Sequence, residues 1–164
     1  MDEYQVMTHW DPITLHRWLQ QGADYNQLPM PGLVQSLKAA ISNQDPISGC
    51  SDRELIFLES HLGRATDALA GLVDYVVWID CDLDLCLARA MLAMIDESVS
   101  TDQGEMVCIH DITHYLQHYI SLTSQLLHLQ RSRIRSSADY VYTGAESHLL
   151  LNWIQLKLNA SIKG

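Results

Sequence analysis

The apolar pattern is clearest over residues 54–94. Two short runs, residues 55–58 and 76–79, are apolar on both faces, which is typical of strands covered on both sides. About a dozen residues of helical character separate the runs, enough for a crossover between parallel strands. A helix with apolar residues at helical spacing follows Asp80. Residues 53–95 therefore predict a strand–helix–strand–helix unit of a parallel sheet.

Further helices are predicted on both sides of this unit. Asp11 as cap, Pro12 in the first turn and Gly22 after the last turn delimit the first helix, and Pro31 opens the second. The pattern then predicts a polar loop over 96–111, a long helix over 112–133 with a basic end, a strand over 138–144 and a closing helix over 146–158. A loop as long as 96–111 is typical of a lid.

Together these elements predict one α/β domain over residues 1–164, with a parallel sheet and helices on both faces. At most three strands are visible, near 55–59, 75–79 and 139–143, beside about six helices. Because the mean sheet has about five to six strands, we expect further strands to be supplied from elsewhere.

Composition limits the partners. Ten basic and twenty acidic residues give the 164-residue chain a formal charge of −10, so we expect no nucleic-acid partner and no anionic membrane surface. The cysteines at positions 50, 81, 86 and 108 form no CxxC pair and are interpreted as reduced thiols. With no signal peptide and no apolar run of about 20 residues, the sequence predicts a cytoplasmic protein.

Candidate chemistry lies where the two predicted strands end. Glu59 and the Gly63–Arg64 pair can hold a substrate hydroxyl, a hydrated cation or an anion; the alternative is a capping glutamate and a solvated arginine. Asp80 and Asp82 can bind a metal, or Asp82 or Asp84 can simply cap the next helix.

Arg89 is the only basic residue of an otherwise apolar and acidic helix. It can neutralise a phosphoryl group, or it can pair with Asp82 or Glu97. His110, His114 and His118 recur every four residues, which permits metal binding, but no HExxH glutamate accompanies them and a solvated face is favoured. The chain contains no GxxxxGK[ST], GxSxG or GxGxxG motif.

Read in order, the segments LIFLE, LGR, VDYVVWIDCDLDLCLAR, YLQHY and ADYVYTG resemble P-loop small-molecule kinases of the uridine kinase and phosphoribulokinase group. The likeness is strongest from Asp74 to Arg89, where the family has a strand, an aspartate and the arginine of its lid helix. It covers nearly the whole chain except the phosphate loop and the elements beside it. Ala90 and Ala93 stand where further lid arginines are common.

The resemblance implies ATP- and Mg²⁺-dependent phosphorylation of a nucleoside-like or sugar-like hydroxyl. It assigns Asp2 and Arg89 to catalysis, and Tyr25, Glu59 and Arg64 to substrate binding; no metal-ligating residue is predicted. Without the phosphate loop we expect the chain to be inactive alone.

Three hypotheses remain open at this stage. The sequence is either a kinase recorded without its amino-terminal segment or a non-catalytic relative that keeps the acceptor pocket and pairs with a second copy through an exposed sheet edge. A metal-dependent hydrolase built on the three histidines is the third.

Overall fold

The computed structural model describes residues 10–28, 30–42, 55–100 and 109–161. The chain divides into two compact units, Met1–Val76 and Val77–Gly164. The first contains the helices α1 (Pro12–Gln20), α2 (Pro31–Ser42) and α3 (Asp67–Ala70). The second contains the strands β1 (Val77–Ile79) and β2 (Tyr140–Tyr142) and the helices α4 (Leu83–Ser100), α5 (Ile109–His118), α6 (Ser124–Ile134) and α7 (Ser147–Ser161). The assignment of residues 1–164 to one kinase-like domain stays a prediction.

Helix α1 begins and ends where the sequence predicts. The Asp11 carboxylate accepts hydrogen bonds from the backbone N–H groups of Ile13 and Thr14, both at 3.0 Å. At the other end Gly22 has a φ of 95°, and the next residue, Ala23, donates its N–H to the Trp18 carbonyl at 2.9 Å. Gly22 also donates its N–H to the Leu19 carbonyl. The two hydrogen bonds form a Schellman motif, for which a glycine in the left-handed region is favoured.

The core of the first unit lies around Trp18. Its indole N–H donates to the Asp24 carbonyl at 2.9 Å, and its ring stacks on Tyr25 with centroids 5.7 Å apart. Tyr25 follows Asp24 in a short 3₁₀ turn, Tyr25–Gln27, and is 5% exposed. The amide of Asn26 joins this turn to α3, because its oxygen accepts the Asp67 N–H at 2.8 Å.

The strand predicted over residues 55–58 is wrong. These residues are irregular, and Leu55, Ile56 and Phe57 are exposed, with Phe57 at 80%. A strand requires a neighbour with which to exchange backbone hydrogen bonds, and an apolar run alone does not supply one. The predicted crossover helix is also short. Gly63 lies in a turn with a φ of 51°, and after it only the four residues of α3 are helical before β1.

The second unit is built on two parallel strands. Val77 pairs with Tyr140, Trp78 with Val141 and Ile79 with Tyr142, and these are the only strands in the described residues. The unit is therefore loosely α/β but mostly helical, and a sheet covered by helices on both faces stays a prediction. Helix α7 is joined to β2 by the rings of Trp153 and Tyr140, whose centroids lie 5.2 Å apart.

The loop predicted over residues 96–111 is wrong at both ends, because α4 continues through Ser100 and α5 begins at Ile109. Residues 101–108 lie outside the described residues. The long helix is present, but Tyr119–Thr123 form a π turn between α5 and α6. The Nδ1 of His118 and the hydroxyl of Thr123 lie 3.3 Å apart across that wider turn.

Candidate functional site

The candidate site of the second unit is the carboxyl end of β1. Parallel strands present their chemistry at this end, and Asp80 is the first residue after the strand. Its backbone N–H donates to the Tyr142 carbonyl at 2.7 Å, which extends the pairing with β2 by one bond. The pairing with β2 thereby fixes the position of the Asp80 backbone, from which the carboxylate extends.

The Asp80 carboxylate is held by three donors. The Trp78 indole N–H and the Arg131 guanidinium both contact its Oδ1 at 3.1 Å, while the Nε of Arg135 donates to Oδ2 at 3.1 Å. The carboxylate is 13% exposed, and these partners, the indole first, lower the pKa of Asp80 below its ordinary value. Asp80 is therefore an ionised anchor for the end of α6.

The metal interpretation of Asp80 and Asp82 finds no support in this geometry. Asp82 lies at the cap position of α4, since its carbonyl accepts the Cys86 N–H at 2.9 Å. Within the described segments, no group of three or more histidine, cysteine or carboxylate side chains is arranged to hold a metal ion. The interpretation of Asp82 as a helix cap agrees with the structure.

Arg89 is the seventh residue of α4 and is exposed. Its Nη1 is 3.7 Å from the Sγ of Cys81, the residue directly after Asp80. The guanidinium thus points back toward the strand end, as a lid arginine is expected to do, and its contact is a sulfur atom. Its catalytic role stays a prediction.

The substrate-side predictions fall in the first unit. Arg64 is half-buried and donates from Nη1 to the Asp74 carbonyl at 3.1 Å, so it braces two loops. Glu59 is exposed, whereas Tyr25 belongs to the core beside Trp18. Asp2 lies outside the described residues. The roles of these four residues in catalysis or binding stay predictions.

Two of the three histidines, His114 and His118, line an open groove of about 460 Å³ in the second unit. It is lined by Met94 of α4 and by Asp111, His114, Tyr115 and His118 of α5. His114 and His118 are exposed, and the Thr123 hydroxyl lies beside the His118 ring. The groove is open to solvent, as the solvated-face interpretation predicts.

Sequence reasoning missed the pairing of Arg131 and Arg135 with Asp80. It assigned the basic end of the long helix to the helix dipole alone. No sequence signal links the two segments, because more than fifty residues separate them and only the tertiary fold joins them.

Comparison with known proteins gives no relative. No family profile, no curated protein and no solved structure matches the chain. In the described segments no helix combines the length and apolar content needed to cross a bilayer. The functional assignment therefore rests on the residues themselves.

Proposed function

We propose that this chain is the acceptor-side and lid part of a small-molecule kinase fold, which binds a nucleoside-like or sugar-like hydroxyl compound and transfers no phosphate from ATP by itself. The observation that carries the proposal is the parallel β1–β2 pair, with Asp80 at the strand end and Arg89 directed back toward it. This order of strand, acid and arginine-bearing helix is the one on which the kinase resemblance depends.

Electrostatics supports a phosphate-facing role for Arg89. Arg131 and Arg135 both form ion pairs with the Asp80 carboxylate, so each already has an anionic partner. Arg89 is exposed and contacts a thiol, and a guanidinium so placed can meet an incoming phosphoryl group by a two-pronged hydrogen bond. In a chain of net charge −10, an exposed cation at the strand end marks a place where an anion is attracted, whereas the net charge repels it.

The residues present do not fit ATP and Mg²⁺. The sequence contains no GxxxxGK[ST] loop to hold the phosphates, and the described residues form no cluster suited to a cation. Binding of the acceptor is therefore the activity proposed for this chain.

Calorimetric titration with uridine, ribose and ribulose 5-phosphate tests the proposal, together with an ATP-consumption assay on the same samples. We expect at least one compound to bind and none to be phosphorylated. Glu59→Gln should weaken that binding about tenfold, the loss expected for one hydrogen bond to a charged group. Glu146→Gln, which changes another exposed carboxylate, in the second unit, is the matched control.

Two results would contradict the proposal. One is the absence of binding by every compound at millimolar concentration. The other is an equal weakening by Glu59→Gln and Glu146→Gln, because the binding would then follow net charge alone.

Pairing of two copies through a sheet edge is part of the proposal. Each described strand has one neighbour, and Ile79 at the end of β1 is 70% exposed. Sedimentation equilibrium should give a mass above 18.6 kDa at high concentration, and Ile79→Lys should restore the monomer. A strictly monomeric unmodified chain would remove the pairing but leave acceptor binding standing.

A further inference from the structure

Two thiols meet at the start of helix α4. Cys81 precedes the capping residue Asp82, and Cys86 occupies the fourth helical position, with its N–H on the Asp82 carbonyl at 2.9 Å. Side chains at these two positions commonly pack against each other and set the angle at which the chain enters a helix. Here both are cysteines, both are half-buried and both are free.

The two sulfur atoms have different surroundings. The Nη1 of Arg89 lies 3.7 Å from the Sγ of Cys81, at the amino end of α4. Burial, followed by the hydrogen bond with the Cys81 side chain, raises the pKa of the Cys86 thiol. One sulfur is thus beside a cation, while its neighbour is kept protonated.

We infer that Cys81 and Cys86 form a thiol-oxidation site, in which a hydroperoxide oxidises Cys81 and Cys86 then closes an intramolecular disulfide. The juxtaposition of the two thiols with Arg89 carries this inference, which is independent of the proposed acceptor binding. An exposed cation beside one thiol and a second thiol within reach are the features of redox-sensitive cysteine pairs.

The reaction balances with hydrogen peroxide as the oxidant. The Cys81 thiolate attacks one peroxide oxygen, the O–O bond breaks, and the departing hydroxide takes up the proton lost by Cys81 to give water. Cys81 is then a sulfenic acid. The Cys86 sulfur attacks the Cys81 sulfur, the S–O bond breaks, and the hydroxyl leaves with the Cys86 proton as a second water.

The disulfide changes the neighbourhood of Arg89. Four residues separate the two cysteines, and the disulfide holds their Cα atoms about 4.4–6.8 Å apart, which ties the residue before the cap to the first turn of α4. The Cys81 sulfur is then bonded to Cys86, so Arg89 faces a disulfide in place of a thiol.

Peroxide oxidation followed by alkylation tests the inference. The full chain with Cys50→Ser and Cys108→Ser retains only this pair; it is treated with hydrogen peroxide, unfolded and exposed to N-ethylmaleimide. We expect a mass lower by two hydrogen atoms, no alkylation, and a peptide containing residues 81 and 86 cross-linked. Peptide mapping of the unmodified chain should show the same link.

Single variants on that background assign the roles. In the Cys86→Ser variant, oxidation should stop at the sulfenic acid of Cys81, which dimedone traps. Arg89→Gln should slow oxidation of Cys81 about tenfold, because it removes a charged donor 3.7 Å from the sulfur, where negative charge develops as the peroxide bond breaks. Arg133→Gln, an exposed arginine of α6, should leave the rate unchanged.

Clear results would overturn the inference. One is alkylation of both thiols after a peroxide treatment that oxidises free cysteine. Another is a dimedone adduct on Cys86 in place of Cys81. The third is an equal rate of Cys81 oxidation in the Arg89→Gln variant and in the chain that keeps Arg89. Circular dichroism of each variant establishes that it remains folded, so a lost link reports on the site.

Discussion

The two units differ in how they treat their apolar residues. In the described part of the first unit, buried apolar side chains come from nearly every element: Leu15, Trp18, Ala23, Tyr25, Leu28, Met30, Leu33, Leu37, Leu62, Leu69 and Val76. In the described part of the second unit only Leu122 and Ile134 are buried to this degree. The first unit has a packed centre, whereas the second is organised around a short sheet.

Large apolar side chains are exposed in both units, with Phe57 at 80% in the first. In the described part of the second unit they lie on β1, α4, the π turn and α7: Ile79, Leu85, Leu92, Ile95, Ile120, Leu149, Leu151 and Leu156. A two-stranded sheet offers little surface for helices to cover. Burial of apolar side chains therefore stabilises the first unit. In the second unit, hydrogen bonds and ion pairs at the end of β1 contribute a larger share of the stabilisation.

The largest effect expected from this contrast is in matched leucine truncations. Leu69→Ala in the first unit, at a side chain 0% exposed, should lower the free energy of unfolding by about 2–5 kcal/mol. Leu151→Ala in α7, where the side chain is 64% exposed, should change it by no more than about 0.5 kcal/mol. Urea unfolding followed by circular dichroism and tryptophan fluorescence measures both.

Fluorescence separates the units, because Trp10 and Trp18 lie in the first and Trp78 and Trp153 in the second. Replacing the latter pair by phenylalanine leaves a signal from the first unit alone. Similar losses for Leu69→Ala and Leu151→Ala would refute the contrast in packing.

The next effect is on the acid sensitivity of the second unit. The pKa of Asp80 is lower in the folded chain than in the unfolded chain, so its stabilising contribution is present above about pH 3.9 and is lost as the pH falls through the folded value. Asp80→Asn should remove this part of the pH dependence and lower the urea midpoint at neutral pH. Asp84→Asn, an exposed first-turn residue of α4, is the control.

The measurement is the urea midpoint of the second unit across the acid range, followed by Trp153 fluorescence. Parallel curves for the unmodified chain and Asp80→Asn would show that the two arginines and the indole do not stabilise the ionised carboxylate.

The smallest effect expected is in the turn that closes α1. Gly22→Ala should cost about 1 kcal/mol, because the φ of 95° disfavours a Cβ even though no atom lies within 4 Å of it. Gly71→Ala provides the matched control, since Gly71 has equal space and a φ of −93°. Replacing Gly71 should cause no loss and can add a few tenths of a kcal/mol.

Thermal unfolding of the two glycine variants, again read from Trp10 and Trp18, provides the comparison. An equal change for both would mean that the backbone conformation at Gly22 does not limit stability.

Local signals in the sequence determined most of the helices. Asp11, Pro12 and Gly22 delimit α1, the apolar spacing after Asp82 predicts α4, and the β-branched and aromatic residues around Val77 and Tyr140 predict the two strands that form. Capping, helical periodicity and β-propensity act over a few neighbouring residues, so they can be read without knowing the fold.

Only the tertiary structure decided the remainder. Residues 55–58 have a strand-like composition but no strand partner, and Tyr25 lies in the core because Trp18 stacks on it. Within the candidate site, the sequence indicated Asp80 and Arg89 but not the ion pairs that Arg131 and Arg135 form with Asp80. Strand pairing and ion pairing depend on which distant segments meet, and that is fixed by the packing of the whole unit.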